Sequence, residues 1–189
     1  MARHGVHHIG LATHDPEATI KFYTEKLGWT YVLNDLLRPG SGGSMRHFWF
    51  DTGDGSYFAF LHPKDVPGIP SNFATDIGSG LGVPRGFYHI ALWVDDVAAL
   101  EAKQKLLISR GVDASLLVDH DYCTSFYFTD PNGIQLEYCA TNRAFNEGDK
   151  DMNSVGTTTV LTDDPVAAQK VLTDMMSVAA VVPEIEAAG

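Results

Sequence analysis

Two histidines and a glutamate carry the chemistry that this sequence offers most plainly. His8 lies in the run VHHIGL, His89 in FYHIAL and Glu137 in GIQLEYC. Both imidazoles sit in strand-like stretches with small or aliphatic neighbours. A two-residue period puts His8 on one face with Gly10 and Ala12, and His89 on one face with Ala91 and Trp93. Glu137 is flanked by Leu136, Tyr138 and Cys139, where an exposed carboxylate is hard to place, and a buried one needs a partner. Two imidazoles and one carboxylate from separate strands form the facial set that holds one divalent ion and leaves coordination positions open. Fe(II) is the first choice for such a set, with Mn, Ni, Co or Zn as the other candidates. Open positions point to catalysis rather than to a structural ion. His7 is the alternate ligand beside His8, but strand alternation turns it to the other face.

A repeat must position these groups. VHHIGLATHDPEATIKFY aligns with FYHIALWVDDVAALEAKQ at an offset of 81 residues, pairing His8 with His89 and Asp15 with Asp96. As ordinary core histidines, His8 and His89 would have no reason to fall in register. HFWFDTGDGSYFAFL aligns with SFYFTDPNGIQLEYC at an offset of 78, which pairs Ala59 with Glu137 and His47 with Ser125. The change of offset implies an insertion in the first copy, placed in the glycine-rich loop 38–44. In each copy an aspartate, Asp15 or Asp96, is the expected N-cap of a helix, and Gly28 or Gly111 its stop. Pro16 takes the first helical position. Asp54-Gly55 and Asn132-Gly133 are hairpin turns between aromatic-rich strands. Each copy therefore reads strand, helix and three antiparallel strands. The chain divides into a first βαβββ module over 4–62, an irregular connector over 63–86, a second βαβββ module over 87–141 and a C-terminal extension over 142–189. Within the extension, Pro165 to Met176 is expected to be a short helix capped by Asp163 or Asp164, with Val166, Val171 and Met175 along its apolar edge.

Composition excludes several function classes. Twenty-four acidic residues against thirteen basic ones give a formal charge of -11, which repels nucleic acid and anionic membranes. No apolar run reaches membrane-spanning length, and the start lacks a signal-peptide core, so a soluble, cytoplasmic protein is expected. Cys123 and Cys139 form neither a disulfide framework nor a zinc motif and read as small buried residues.

Residues 4 to 141 resemble the vicinal oxygen chelate superfamily, which includes glyoxalase I, bleomycin-resistance proteins and type I extradiol dioxygenases. The resemblance rests on HHIGL, YHIAL and DPNGIQLEY, and it implies an α+β fold in which two βαβββ modules form a U-shaped half-barrel around a metal. It assigns His8, His89 and Glu137 as ligands. A glyoxalase carboxylate is replaced here by Ala59, so the resemblance favours the three-ligand dioxygenase site. It also places a substrate-binding phenol at Tyr127, ten residues before Glu137. The acid/base histidine of ring-cleaving members falls at about Ser56 in this chain, and His62 or His120 is the available replacement. Trp49, Trp93 and Phe58 suggest an aromatic lining for a planar substrate, with ordinary core packing as the bland alternative. The expected activity is oxidation of a small, catechol-like chelating molecule by O2. A glyoxalase-type lyase or isomerase is the alternative, followed by a non-catalytic ligand-binding protein. A homodimer is compatible with all three.

Overall fold

A computed structural model of the protein describes residues 5–177; His4 and residues 178–189 of the extension lie outside the described residues. The described residues fall into two compact units, 5–76 with 130–133, and 77–129 with 134–177.

The first unit contains β1 (His8–Ala12), α1 (Pro16–Lys21), β2 (Thr30–Leu37), β3 (Ser44–Asp51) and β4 (Tyr57–Lys64). Asp15 caps α1 by accepting from the Ala18 N–H, and Pro16 opens the helix, as the sequence predicts. The helix runs on as a π turn over Phe22–Lys26 and stops at Gly28, whose φ of 78° suits glycine. The strands lie in the order β1-β4-β3-β2, with β1 parallel to β4. Phe50, Phe58 and Phe60 project from one face of this sheet onto Tyr23 of the helical segment, and Phe48 stacks on Phe60 beside them. Burying each such ring stabilises by roughly 1.5–3 kcal/mol. The Tyr23 hydroxyl donates to Asp130 Oδ2 at 3.0 Å, and Thr75 Oγ1 donates to the Asn132 carbonyl at 2.6 Å, which ties the turn 130–133 into this unit.

The second unit repeats the arrangement with β5 (His89–Val94), α3 (Val97–Ser109), β6 (Val118–Asp119), β7 (Cys123–Thr129) and β8 (Gln135–Thr141). Its order is β5-β8-β7-β6, again with the first and last strands parallel, and β9 (Thr159–Val160) extends the sheet beside β6. Neither sheet closes on itself. Asp96 caps α3 through the Ala99 N–H, and Leu100 and Leu107 are fully buried on the same side as Phe126 and Leu136.

The connector is less irregular than its composition suggests. β4 runs to Lys64, α2 covers Ile77–Leu81, and a 3-10 turn covers Arg85–Phe87. Five glycines and no apolar period hide so short a helix. In the extension α4 spans Pro165–Met176, capped by Asp164. Val166 is 76% exposed, so the apolar edge consists of Val171 and Met175 without it. Among the described residues no helix is long and apolar enough to cross a membrane.

Candidate active site

Strand register sorts the side chains onto two faces of each sheet. In the second unit Ala91 pairs with Glu137, and Glu137 pairs with Tyr127. Pleating then puts His89, Glu137, Ser125 and Tyr127 on one face, opposite the face that packs on α3. In the first unit Gly10 pairs with Ala59, and Ala59 with Trp49, so Ala59 and Trp49 occupy the repeat positions of Glu137 and Tyr127.

On the second unit's open face the polar groups form a hydrogen-bonded row. His89 Nδ1 lies 2.8 Å from the Gly86 carbonyl oxygen, which can only accept, so Nδ1 carries a proton. Nε2 is thereby turned to Glu137 Oε2 at 3.0 Å. The Ser125 hydroxyl donates to Glu137 Oε1 in a very short contact. Glu137 is only 5% exposed. Burial pushes its pKa up, but the hydrogen bonds from His89 and Ser125 outweigh burial and hold it below the ordinary carboxylate value. The same carboxylate raises the His89 pKa, against the opposing effect of burial.

His120 and Tyr127 meet beside this pair. His120 Nε2 is 2.9 Å from the Tyr127 hydroxyl, and its Nδ1 is 3.3 Å from Thr158 Oγ1. Burial lowers the His120 pKa, which favours the neutral imidazole, and burial together with the Glu137 charge raises that of the Tyr127 phenol. The phenol is therefore protonated at neutral pH, with a neutral imidazole against it.

In the first unit Trp49 Nε1–H donates to His47 Nε2 at 2.6 Å, which leaves His47 Nδ1–H to donate to Asp35 Oδ1 at 3.1 Å. Trp49 also lies on the His8 ring, with centroids 4.7 Å apart. His7 is not turned away from His8: their Nδ1 atoms are 3.0 Å apart. The reason is that β1 begins at His8, so strand alternation does not govern His7.

Two expectations fail on orientation. Phe58 is 2% exposed and packs on Tyr23 and Trp29, so it is core and lines no site. His62 shares the helix-facing side of β4 with Phe58 and Phe60, where its Nδ1 meets the Thr13 carbonyl at 3.0 Å. It faces away from Ala59 and cannot serve as the acid/base there. Trp93 stands 71% exposed on the His89 face of β5. Both cysteines are half-buried rather than buried, and burial pushes the Cys123 thiol up to about 12, leaving it protonated.

Donor chemistry suits an ion at His89 and Glu137. Two donors each about 2.1 Å from one ion and at right angles to it stand about 3.0 Å apart. That is the spacing of His89 Nε2 and Glu137 Oε2. The Nδ1–H bond to Gly86 and the Ser125 bond to Glu137 are contacts of the kind that orient metal ligands. Among the described residues, no group of three or more His, Cys, Asp or Glu side chains forms a ready metal-holding cluster. Ser125 and Gly86 were not singled out for the site from sequence. The Asn132-Gly133 hairpin fixes the pairing of β7 with β8, and counting back along it would have put Ser125 on the Glu137 face.

Residues 5–138 match the family described as the Glyoxalase/Bleomycin resistance protein/Dioxygenase superfamily. The uncharacterized protein YwbC of Bacillus subtilis (strain 168) is 26% identical over 133 residues, covering 70% of this chain and 94% of that protein. Lactoylglutathione lyase from Agrobacterium tumefaciens superposes with a TM-score of 0.51 at 16% identity, covering 74% of this chain and 96% of that one. TnmS3, an antibiotic binding protein from Streptomyces sp. CB03234, superposes with a TM-score of 0.50 at 20% identity, covering 75% and 99%. Likenesses at such identities concern the fold alone.

Proposed function

Because this chain belongs to the Glyoxalase/Bleomycin resistance protein/Dioxygenase superfamily, we propose that it is a metal-dependent oxidoreductase of the extradiol dioxygenase kind, acting on a small chelating aromatic molecule. His89 and Glu137 hold one divalent ion, Fe(II) first among the candidates, and His8 is the third protein ligand by its repeat position. The ion supplies activation of O2 and of adjacent substrate oxygens. The observation that carries this reading is the His120–Tyr127 hydrogen bond on the face that bears Glu137.

Each residue has a role that follows from its contacts. Gly86 fixes the His89 tautomer so that Nε2 is free to ligate. Ser125 keeps Glu137 ionised and aimed by donating to Oε1. Tyr127 presents a protonated hydroxyl to a substrate oxygen, and neutral His120 receives or returns that proton at Nε2. Ala59 stands at the position equivalent to Glu137, and an alanine there cannot complete a four-ligand set.

Metal analysis of anaerobically purified protein, followed by oxygen uptake with catechol, tests the reading. Iron at one per chain with oxygen consumption is expected, and both should be lost in His89→Ala and Glu137→Ala. Nickel or zinc without oxygen uptake would move the protein to the glyoxalase-type lyases or isomerases. Absence of any bound metal under those conditions would make it a binding protein.

A further inference from the structure

The residues that follow β8 lie beyond the stretch that matches the family, and they supply something the two modules lack. α4 is seated tightly on the second unit. A Cβ placed on Gly86 would stand 2.8 Å from the Met175 carbonyl oxygen, so only glycine permits this approach. Between α4 and the open face of the sheet lies a cavity of about 510 Å³. His89, Tyr127 and Gln135 line it on the sheet side, and Ala167, Val171 and Met175 on the helix side. Leu116 and Phe87 add to the apolar wall. The volume is in the range of small-molecule sites, roughly 300–1,000 Å³.

Charge at the wall narrows the ligand class. Among the described residues Lys170 is its only cationic side chain of Lys or Arg type, and its Nζ is already paired with Asp174 Oδ2 at 2.5 Å. Asp113 adds a second carboxylate to the lining. Apart from His89 and the ion it would hold, the wall sets one cation against two carboxylates, which disfavours an anion away from that end, and an apolar wall gives a bound charge nothing to replace its water.

We propose that this cavity binds the apolar body of a neutral aromatic molecule, with α4 as the wall that determines specificity and His89 and Tyr127 at the polar end. The proposal rests on the function above for the chemistry at that end, but the α4 wall is tested without it. Binding of 2-naphthol to the full-length protein, followed by its fluorescence, is compared at pH 7 with binding of 6-hydroxy-2-naphthoate, whose carboxylate lies at the end of the ring system away from the hydroxyl. Naphthol should saturate one site per chain, and the hydroxynaphthoate should bind about tenfold more weakly or worse. Val171→Trp, which fills the cavity, should weaken naphthol about tenfold or more, and Ala167→Phe should do the same by a second route. Val166→Trp, on the solvent side of α4, should change nothing. No saturable naphthol binding, equal binding of the hydroxynaphthoate, or an unchanged Kd in both cavity-filling variants overturns the proposal. Metal content measured on the same preparations separates the two readings. Failure of the metal assignment leaves the contrast between Val171 and Val166 intact, and failure of the α4 wall leaves metal content intact.

Discussion

Glu137 is buried and yet ionised, and the cause of its ionisation decides what its neighbours do. In the metal-free protein its carboxylate holds a proton on His89, whose pKa lies above the ordinary 6.5, whereas burial holds His120 below it. His89 therefore stabilises the fold below pH 6.5, and that contribution is lost as pH rises through its raised pKa. His120 acts in the opposite sense. Stability linked to it is full above 6.5 and is lost as pH falls toward its lowered pKa. An NMR titration of the metal-free protein should thus find His120 deprotonating before His89 as pH rises, and Glu137→Gln should lower the His89 value. The reverse order of titration would contradict the hydrogen-bonded row. Tyr127→Phe should retain metal and slow turnover about tenfold to a thousandfold, because it removes only the hydroxyl that meets substrate charge. Unchanged turnover with full metal would return Tyr127 to a packing role.

At the scale of elements, register and close approach set the expectations. Ala59 pairs with Gly10 and Trp49 as Glu137 pairs with Ala91 and Tyr127. On the proposed three-ligand reading, Ala59→Glu should bind metal at least as tightly as the parent and lose oxygen-dependent activity, because a fourth protein donor takes a position that substrate or O2 needs. Parent metal affinity together with parent activity would show that Ala59 does not face the ion. Gly86→Ala acts through α4. Its new methyl meets the Met175 carbonyl, so the variant should lose about 1–3 kcal/mol in denaturant unfolding and bind naphthol more weakly. These elements were readable where a local signal existed. The caps Asp15, Asp96 and Asp164, the stop at Gly28 and both hairpin turns follow from side-chain hydrogen bonds and positive φ within a few residues. α2 was not readable, since five residues are too few to show a helical period.

At the scale of the whole molecule, a net charge of -11 draws cations and leaves neutral ligands alone. Metal association should slow about severalfold between 0.01 M and 0.5 M salt as the Debye length shrinks, while naphthol binding should not change. A salt-independent metal on-rate would mean that the global field plays no part. The sequence by itself determined the two-module plan, because the repeat of His8 with His89 and of the two hairpins is a property of spacing. It determined the strands that bear His89, Glu137 and Tyr127, because turn and cap signals are local. Tertiary structure decided which histidine meets Tyr127. His62 and His120 are equally available as loop-edge imidazoles in sequence, but strand parity sends the first to the Thr13 carbonyl, while the turn that follows β6 puts the second on the phenol. It decided that Phe58 belongs to the core, since an aromatic residue looks the same on either face of a sheet until its partners are known. It also seated α4 over Gly86, a contact between residues 89 positions apart that no local pattern encodes.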